Sequence, residues 1–411
     1  MSKKVFRQHF AEGEKKFQDH MGFMLYDPEE KKTIFEYQSD KYFTPASNTK
    51  ILTLYTAMRT LGDSVPALEY EERNDSLIFH GTGDPSFLYK NVYTNSRVLD
   101  FLRSSKTRLY FSDANMFSAP FGPGWAWDDY DSYYSAERSA LPIYGNIAVV
   151  TKTKDGLNIE PRAFRKNLFP GEKQRRENVS RELDQNWFYF HEGDSVRGKT
   201  MWEVPFKTSS MLTVQLLSDT LRRPVGLVST KLPNASKVLY SIPSDSLYRV
   251  LMQDSDNFIA EQLLFLCAQV LRDSMQTESA IRYAKENYLN DLPDKLVWVD
   301  GSGLSRYNQT TPRNIVKVWE KLQAQAVPAR LLPLLAAGGK NGTVKNLYKA
   351  DRTFIFGKTG SLSNNHCLSG FIITRTGKTL IFSYMNSNFV SPVGDVRKHM
   401  ETLLYQIYDK Y

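Results

Sequence analysis

Strand-like runs at both ends of the chain limit what it can fold into. MGFMLYD (21–27) and KTIFEYQ (32–38) alternate and are joined by a turn at Asp27, Pro28 and Glu29. Far downstream, TFIFGKTGSLS (353–363) reads as a third strand, and CLSGFIITR and TLIFSYMNS as a hairpin turning at Thr376 and Gly377. Helical patterns flank both sets. Residues 5–19 open the chain, and GDVRKHMETLLYQIYDKY closes it with Val396, Met400, Leu403, Leu404, Ile407 and Tyr408 on one stripe. Two early strands and three late ones predict one α/β domain whose chain is interrupted by an insert.

With 411 residues the chain exceeds what one hydrophobic core organises, which fits that division. From about residue 65 to 236 short strands and turns dominate: ALEYEER, SLIFHGTGDPSF, RLYFSDANMF and NIAVVTKT, punctuated by Gly81, Gly83, Pro85, Gly122, Pro123 and Gly124. The expected domains are therefore 1–64 with 237–411, and an inserted, mostly-β 65–236. Helices return at 244–253 and 257–275, separated by the polar break Asp254, Ser255, Asp256. LPLLAAGGKNGT (332–343) reads as a helix running into a glycine stop.

Several classes are excluded early. No stretch approaches 18 consecutive apolar residues, so no membrane span is expected. The net charge of +8 favours anionic polymers, but no nucleic-acid motif accompanies it, and the basic cluster from Arg162 to Arg181 reads as solvated surface. Cys267 and Cys367 lack zinc spacing; Cys267 is expected to be buried, and whether the two pair is left open. GDSVRGKT (193–200) matches a phosphate loop letter for letter, yet Pro205 and the absence of a helical period after it favour a hairpin turn. No cofactor is expected. The N-terminus lacks the apolar core of a secretory signal, so either the protein is cytoplasmic or a signal has been removed.

The chemistry lies in TPASNTKILTLYTAM (44–58). Ser47 and Lys50 stand three positions apart at a helix start, so the amine can reach the hydroxyl. A serine hydroxyl becomes a useful nucleophile only when a base takes its proton, and an uncharged lysine is such a base. Alone the tetrad is better read as a serine cap beside a solvated lysine. Two further motifs change the balance: Ser255-Asp256-Asn257 in the interhelical turn and Lys358-Thr359-Gly360 on a strand. Lys358 alone would read as an edge-strand lysine that discourages aggregation.

Together the three motifs resemble the signature shared by penicillin-binding proteins and class A β-lactamases. The gap between Ser47 and Ser255 is far longer than a compact β-lactamase needs. The chain is similar to the class C, or type 4, penicillin-binding proteins, a family of D-alanyl-D-alanine carboxypeptidase/endopeptidases. GTGDPSF (81–87), GWAWDDYDSYYSAE (124–137), SDNFIAEQLL (255–264), DGSGLSRYN (300–308) and GKTGSLS (357–363) carry the likeness, which is weakest from about 150 to 235.

That resemblance implies a penicillin-binding/serine β-lactamase-like domain with a five-stranded antiparallel sheet flanked by helices. It implies Ser47 as nucleophile, Lys50 as base, and Ser255 relaying a proton to the leaving D-alanine nitrogen. The N–H groups of Ser47 and Ser361 would form the oxyanion hole. Lys358, with the Thr359 and Ser361 hydroxyls, would hold the terminal carboxylate, and Gly360 would leave room for substrate. Asn257 would orient Lys50 and bind the acyl-side amide. Asp129 and Arg306 would grip a diaminopimelate side chain, with Tyr134 beside it.

The implied partners are peptidoglycan stems and β-lactam antibiotics. No glutamate is identifiable for activating a deacylating water, so slow β-lactam hydrolysis is expected. A periplasmic, extracytoplasmic site of action is expected, with the signal removed from this sequence. Oligomeric state is not readable. Alternatives are a non-catalytic wall-binding protein, or a β-lactamase or esterase on the same fold.

Overall fold

The alternating runs at the two ends of the chain pair with one another, as the computed structural model shows. It describes residues 1–92, 95–116, 118–172, 178–192, 200–233, 236–271 and 275–411. Two compact units result: Met1–Thr60, Leu247–Ala260 and Ala280–Tyr411 form the first, Leu61–Ser246 and Glu261–Ser279 the second.

In the first unit His20–Asp27 lies between Lys32–Tyr37 and Thr379–Ser387, antiparallel to both. The sheet continues through Asn365–Ile373 and Ile355–Leu362, again antiparallel. It has six strands rather than the expected five, because Ala336–Ala337 adds a short outer strand opposite Gly357 and Phe356. The helix expected over 332–343 does not form. A single 3-10 turn, Leu332–Leu334, is followed directly by that strand. Pro333 lacks an amide proton, and Gly339 takes φ +69°, so a helical ladder cannot propagate through the segment.

Strand alternation sends successive side chains to opposite faces. On one face Phe23, Leu25, Leu368 and Phe382 pack with Phe6, Phe10 and Phe17 of the helix Lys3–Phe17 and with the helix Val393–Lys410. All six residues of the predicted stripe on that last helix are buried. Each fully buried large apolar side chain contributes roughly 1.5–3 kcal/mol. On the other face Trp319, from the helix Pro312–Gln325, donates its indole N–H to Ser369 at 2.9 Å and packs its ring 5.3 Å from Phe371. The helix Thr49–Thr60 is buried from Thr49 to Met58. Its all-round apolar sequence reflects that position.

The second unit contains a five-stranded mixed sheet. Ser76–Gly81, Arg108–Ser112 and Val225–Val228 run parallel, while Ser64–Arg73 and Lys237–Pro243 complete it antiparallel. Parallel neighbours need crossover connections. Helix Arg97–Ser104 lies on the first crossover. The second, far longer, carries two three-stranded sheets and the helix Ser210–Leu221. Neither helix was expected in a mostly-β segment. The longer begins at Ser209, whose Oγ accepts the Leu212 N–H at 3.0 Å. Lys237–Pro243 pairs with Ser64–Arg73, which draws residues 237–246 into this unit and not into the first, where the sequence placed them.

The basic cluster is not uniformly solvated. Arg162 is exposed and holds Asp219, but Arg181 is only 2% exposed. Its guanidinium donates to the carbonyls of Pro205, Glu182, Leu183 and Tyr130 at 2.6–3.2 Å. Residues 193–199, the core of the phosphate-loop-like stretch, lie outside the described residues. Both cysteines are buried free thiols. Among the described residues no helix is long and apolar enough to cross a membrane, and no three His, Cys, Asp or Glu side chains gather as metal ligands.

Candidate active site

Every residue of the three motifs lies in the first unit. Pro45 leads into Ala46, which adopts φ +47°, and a 3-10 turn at Ala46–Asn48 carries Ser47 into the helix Thr49–Thr60. Lys50 follows one turn later and is fully buried. Its Nζ stands 3.0 Å from Ser47 Oγ, 2.6 Å from Asn257 Oδ1 and 2.6 Å from the Ser302 carbonyl. That carbonyl is presented by a loop folded around Asp300, whose carboxylate accepts from Gly303 N, Ser305 N and Asn308 Nδ2 at 2.7–2.8 Å. Gly303 has φ +81°, and a Cβ there would stand 1.9 Å from the Ala46 carbonyl oxygen. Only glycine lets this loop lie under the nucleophile's turn.

Ser255 sits between the helices Ser244–Gln253 and Asn257–Val270 at φ +64°. A left-handed serine of this kind is uncommon and persists where its surroundings fix it. Here Asp256 accepts the Ile259 N–H at 2.9 Å, capping the second helix. Lys358 Nζ donates to Ser255 Oγ at 2.8 Å and to the Thr359 carbonyl at 2.7 Å. Lys358 is fully buried, which excludes the reading as an exposed edge lysine. Burial, and secondarily the nearby Lys50, push its pKa well below the usual lysine value.

The edge strand Ile355–Leu362 is pinned to the nucleophile's turn. Asn48 donates to the Lys358 carbonyl at 3.1 Å and accepts from Ser369 Oγ at 2.6 Å. A Cβ on Gly360 would stand 2.5 Å from the Pro45 carbonyl oxygen and 2.9 Å from the amides of Ser47 and Asn48. The glycine therefore lets the strand approach the Ser47 N–H. Thr359 and Ser361 face the other way. Thr359 Oγ1 donates to Thr343 Oγ1 at 2.7 Å, and the exposed Ser361 has its Oγ 2.7 Å from His366 Nδ1.

Sequence reasoning missed four of these participants: Asn48, Thr343, His366 and the Ser302 carbonyl. Asn48 lies inside the Ser47–Lys50 tetrad, which was its one available signal.

The three remaining candidates are divided between the units. Asp129 and Tyr134 belong to the second, on neighbouring 3-10 turns, where the Tyr134 hydroxyl donates to Asp129 at 2.7 Å. Burial first and Asp129 second raise the Tyr134 pKa. Arg306 belongs to the first, exposed on the Asp300 loop, and donates to the Ser363 carbonyl at 2.9 Å.

A serine hydroxyl within reach of a buried amine can form an acyl ester, and an adjoining hydroxyl–lysine pair can move a second proton. Set beside an antiparallel sheet edge, they define an active-site-serine peptidase of the penicillin-binding fold. The chain belongs to the D-Ala-D-Ala carboxypeptidase 3 (S13) family, which it matches over residues 5–407. It is 21% identical over 423 residues to the D-alanyl-D-alanine carboxypeptidase DacB of Haemophilus influenzae, covering 88% of this chain and 84% of that protein. A segment of 166 residues is 30% identical to the carboxypeptidase DacB of Mycolicibacterium smegmatis, spanning 38% of this chain and 35% of the relative. Among solved structures, penicillin binding protein 4 (dacB) from Haemophilus influenzae superposes with a TM-score of 0.78 at 19% identity, covering 97% of this chain and 99% of that one. The predatory peptidoglycan endopeptidase Bd3459 of Bdellovibrio bacteriovorus matches with a TM-score of 0.53 at 16% identity, covering 95% and 93%.

Proposed function

We propose that this chain is a serine DD-carboxypeptidase of the bacterial wall, also able to cut DD-cross-links, and that it works through an ester on Ser47. The observation that carries the reading is Lys50 Nζ, 3.0 Å from Ser47 Oγ and 2.6 Å from Asn257 Oδ1. With hydrogens given to Asn257 and to the Ser302 carbonyl, an uncharged Lys50 keeps its lone pair for the Ser47 proton. The Ser47 oxygen bonds the D-Ala-D-Ala carbonyl carbon, and the negative charge on the carbonyl oxygen meets the N–H groups of Ser47 and Ser361. The carbon–nitrogen bond then breaks, with Ser255 handing a proton to the leaving D-alanine nitrogen. Water hydrolyses the ester and restores Ser47.

Lys358, Thr359 and Ser361 receive the terminal carboxylate, Gly360 lets the substrate approach, and Asn257 also binds the acyl-side amide. The second unit is read as a domain inserted into the first.

Support for cross-link cleavage comes from the fold shared with the Bdellovibrio endopeptidase. Support for acylation by β-lactams comes from the Haemophilus protein, which has been crystallised with a novel β-lactam. Because the substrate is wall peptide, the protein acts outside the cytoplasm, in the periplasm.

The test is mass spectrometry of purified pentapeptide stems and cross-linked dimers after incubation with the protein. Loss of one D-alanine from stems, and conversion of dimers to monomers, are expected. Ser47→Ala should do neither and should take up no fluorescent penicillin. Intact stems and dimers with wild-type protein would leave a non-catalytic wall-binding protein as the better reading.

A further inference from the structure

Ser361 and His366 stand directly opposite each other on adjacent strands, so their side chains share a face. The two differ sharply in environment. Ser361 is exposed at the sheet edge, while His366 is 1% exposed beneath the helix Val393–Lys410. Burial first, then the charge of Arg397 on that helix and of Lys358 on the neighbouring strand, hold its pKa down at about 3. At neutral pH the imidazole is therefore uncharged, with a single ring proton.

A neutral ring gives the 2.7 Å contact with Ser361 a fixed sense once an anion is present. A hydroxyl beside a carboxylate turns its hydrogen toward the negative charge, which leaves its own lone pairs in need of a donor. Nδ1–H is the donor in place. The arrangement that gives both the hydroxyl oxygen and the carboxylate a donor runs from His366 Nδ1–H to Ser361 Oγ, and from Ser361 O–H to the carboxylate.

We infer that His366 is a positioning residue which locks the Ser361 hydroxyl as a donor and so sharpens the enzyme's preference for substrates ending in a free carboxylate. The inference rests on the proposed role of Ser361 at the carboxylate. His366 itself touches no substrate and acts only through its neighbour.

The experiment compares acylation by benzylpenicillin with acylation by its methyl ester, which lacks the anionic group. The ratio of the two rates does not depend on how much of a variant is folded. His366→Leu should slow benzylpenicillin about tenfold, the effect of losing one hydrogen bond to a charged group, and leave the ester within about twofold. His366→Asn, whose Nδ2 falls near the place of Nδ1, should recover most of the ratio. In a Ser361→Ala background His366→Leu should change the ratio no further.

Equal slowing on both probes, or none on benzylpenicillin, would overturn the inference while leaving the catalytic reading intact. Wild-type protein that takes up neither probe would overturn that reading and this inference with it.

Discussion

Lys358 Nζ lies 2.8 Å from Ser255 Oγ, and the lysine that makes the contact is buried. A buried amine held against a hydroxyl makes the two a single unit for moving a proton. Ser255→Ala and Lys358→Ala should each slow acylation by about 10²-fold or more, and the double variant should be little worse than either single one. Stopped-flow acylation by benzylpenicillin measures this. Two losses that simply multiply would show that the residues act independently.

Gly360 has no room for a side chain. A methyl group there meets the Pro45 carbonyl at 2.5 Å, and because that atom is backbone it cannot swing aside. Gly360→Ala should destabilise by about 1–3 kcal/mol. By pushing the strand away from the Ser47 amide it should also cost about 10²-fold or more in acylation. Gly394 is the control: a Cβ there meets nothing within 4 Å, and it sits in the first turn of a helix. Gly394→Ala should be neutral, or stabilising by up to about 1 kcal/mol.

Asn48 ties the nucleophile's turn to two strands, one of them carrying Lys358-Thr359-Gly360. Replacing it by alanine takes the side-chain donor from the Lys358 carbonyl and the acceptor from the Ser369 O–H in a buried interior. A loss of about 2–3 kcal/mol is expected in urea melts, with slower acylation beyond what unfolding explains. Unchanged acylation per folded molecule would mean that the turn and the strand hold their places without it.

Stability should depend on pH through groups of opposite sign. Burial lowers the pKa of His9 and His366 to about 3, from an ordinary value near 6.5. Between those values the unfolded chain binds protons that the folded one refuses, so stability falls as pH drops below 6.5. Burial, with Glu14 nearby, raises Asp19 to about 7. There the folded state holds a proton that the unfolded chain releases, so its contribution is full below about pH 4 and is lost as pH rises through 7. Thermal midpoints between pH 4 and 8 should therefore fall less steeply toward acid in His9→Gln. In Asp19→Asn they should fall more steeply toward acid, with the midpoint above pH 7 raised by a few degrees. Parallel curves for all three proteins would count against both shifts.

Much of this was legible in the sequence because the relevant features are periodic or carry rare residue combinations. The strands at 21–38 alternate, the turn at Thr376 and Gly377 marks the later hairpin, and the stripe on the last helix is wholly buried. Asp254-Ser255-Asp256 was correctly placed between two helices. What stayed hidden depends on contacts made far away in the chain. Ala336–Ala337 is a strand only because Gly357 and Phe356 lie opposite. Arg181 reads as one more surface cation until four carbonyls close around it. His366 gives no signal at all, since a lone histidine in a strand acquires meaning only from the serine across from it. Asp129 and Arg306 belong to separate units, and no pattern within either segment ties one to the other.

Ala336–Ala337 covers the sheet edge only as far as Gly357, and among the described residues no strand pairs with the outer side of Lys358–Leu362. An enzyme that receives extended peptides must keep such a margin unoccupied, and unoccupied margins invite sheets from other molecules. Five residues suffice to dock a short chain end yet give a stranger's strand little to zip onto. The same two alanines that end the sheet thus divide hospitality to substrate from vulnerability to clumping.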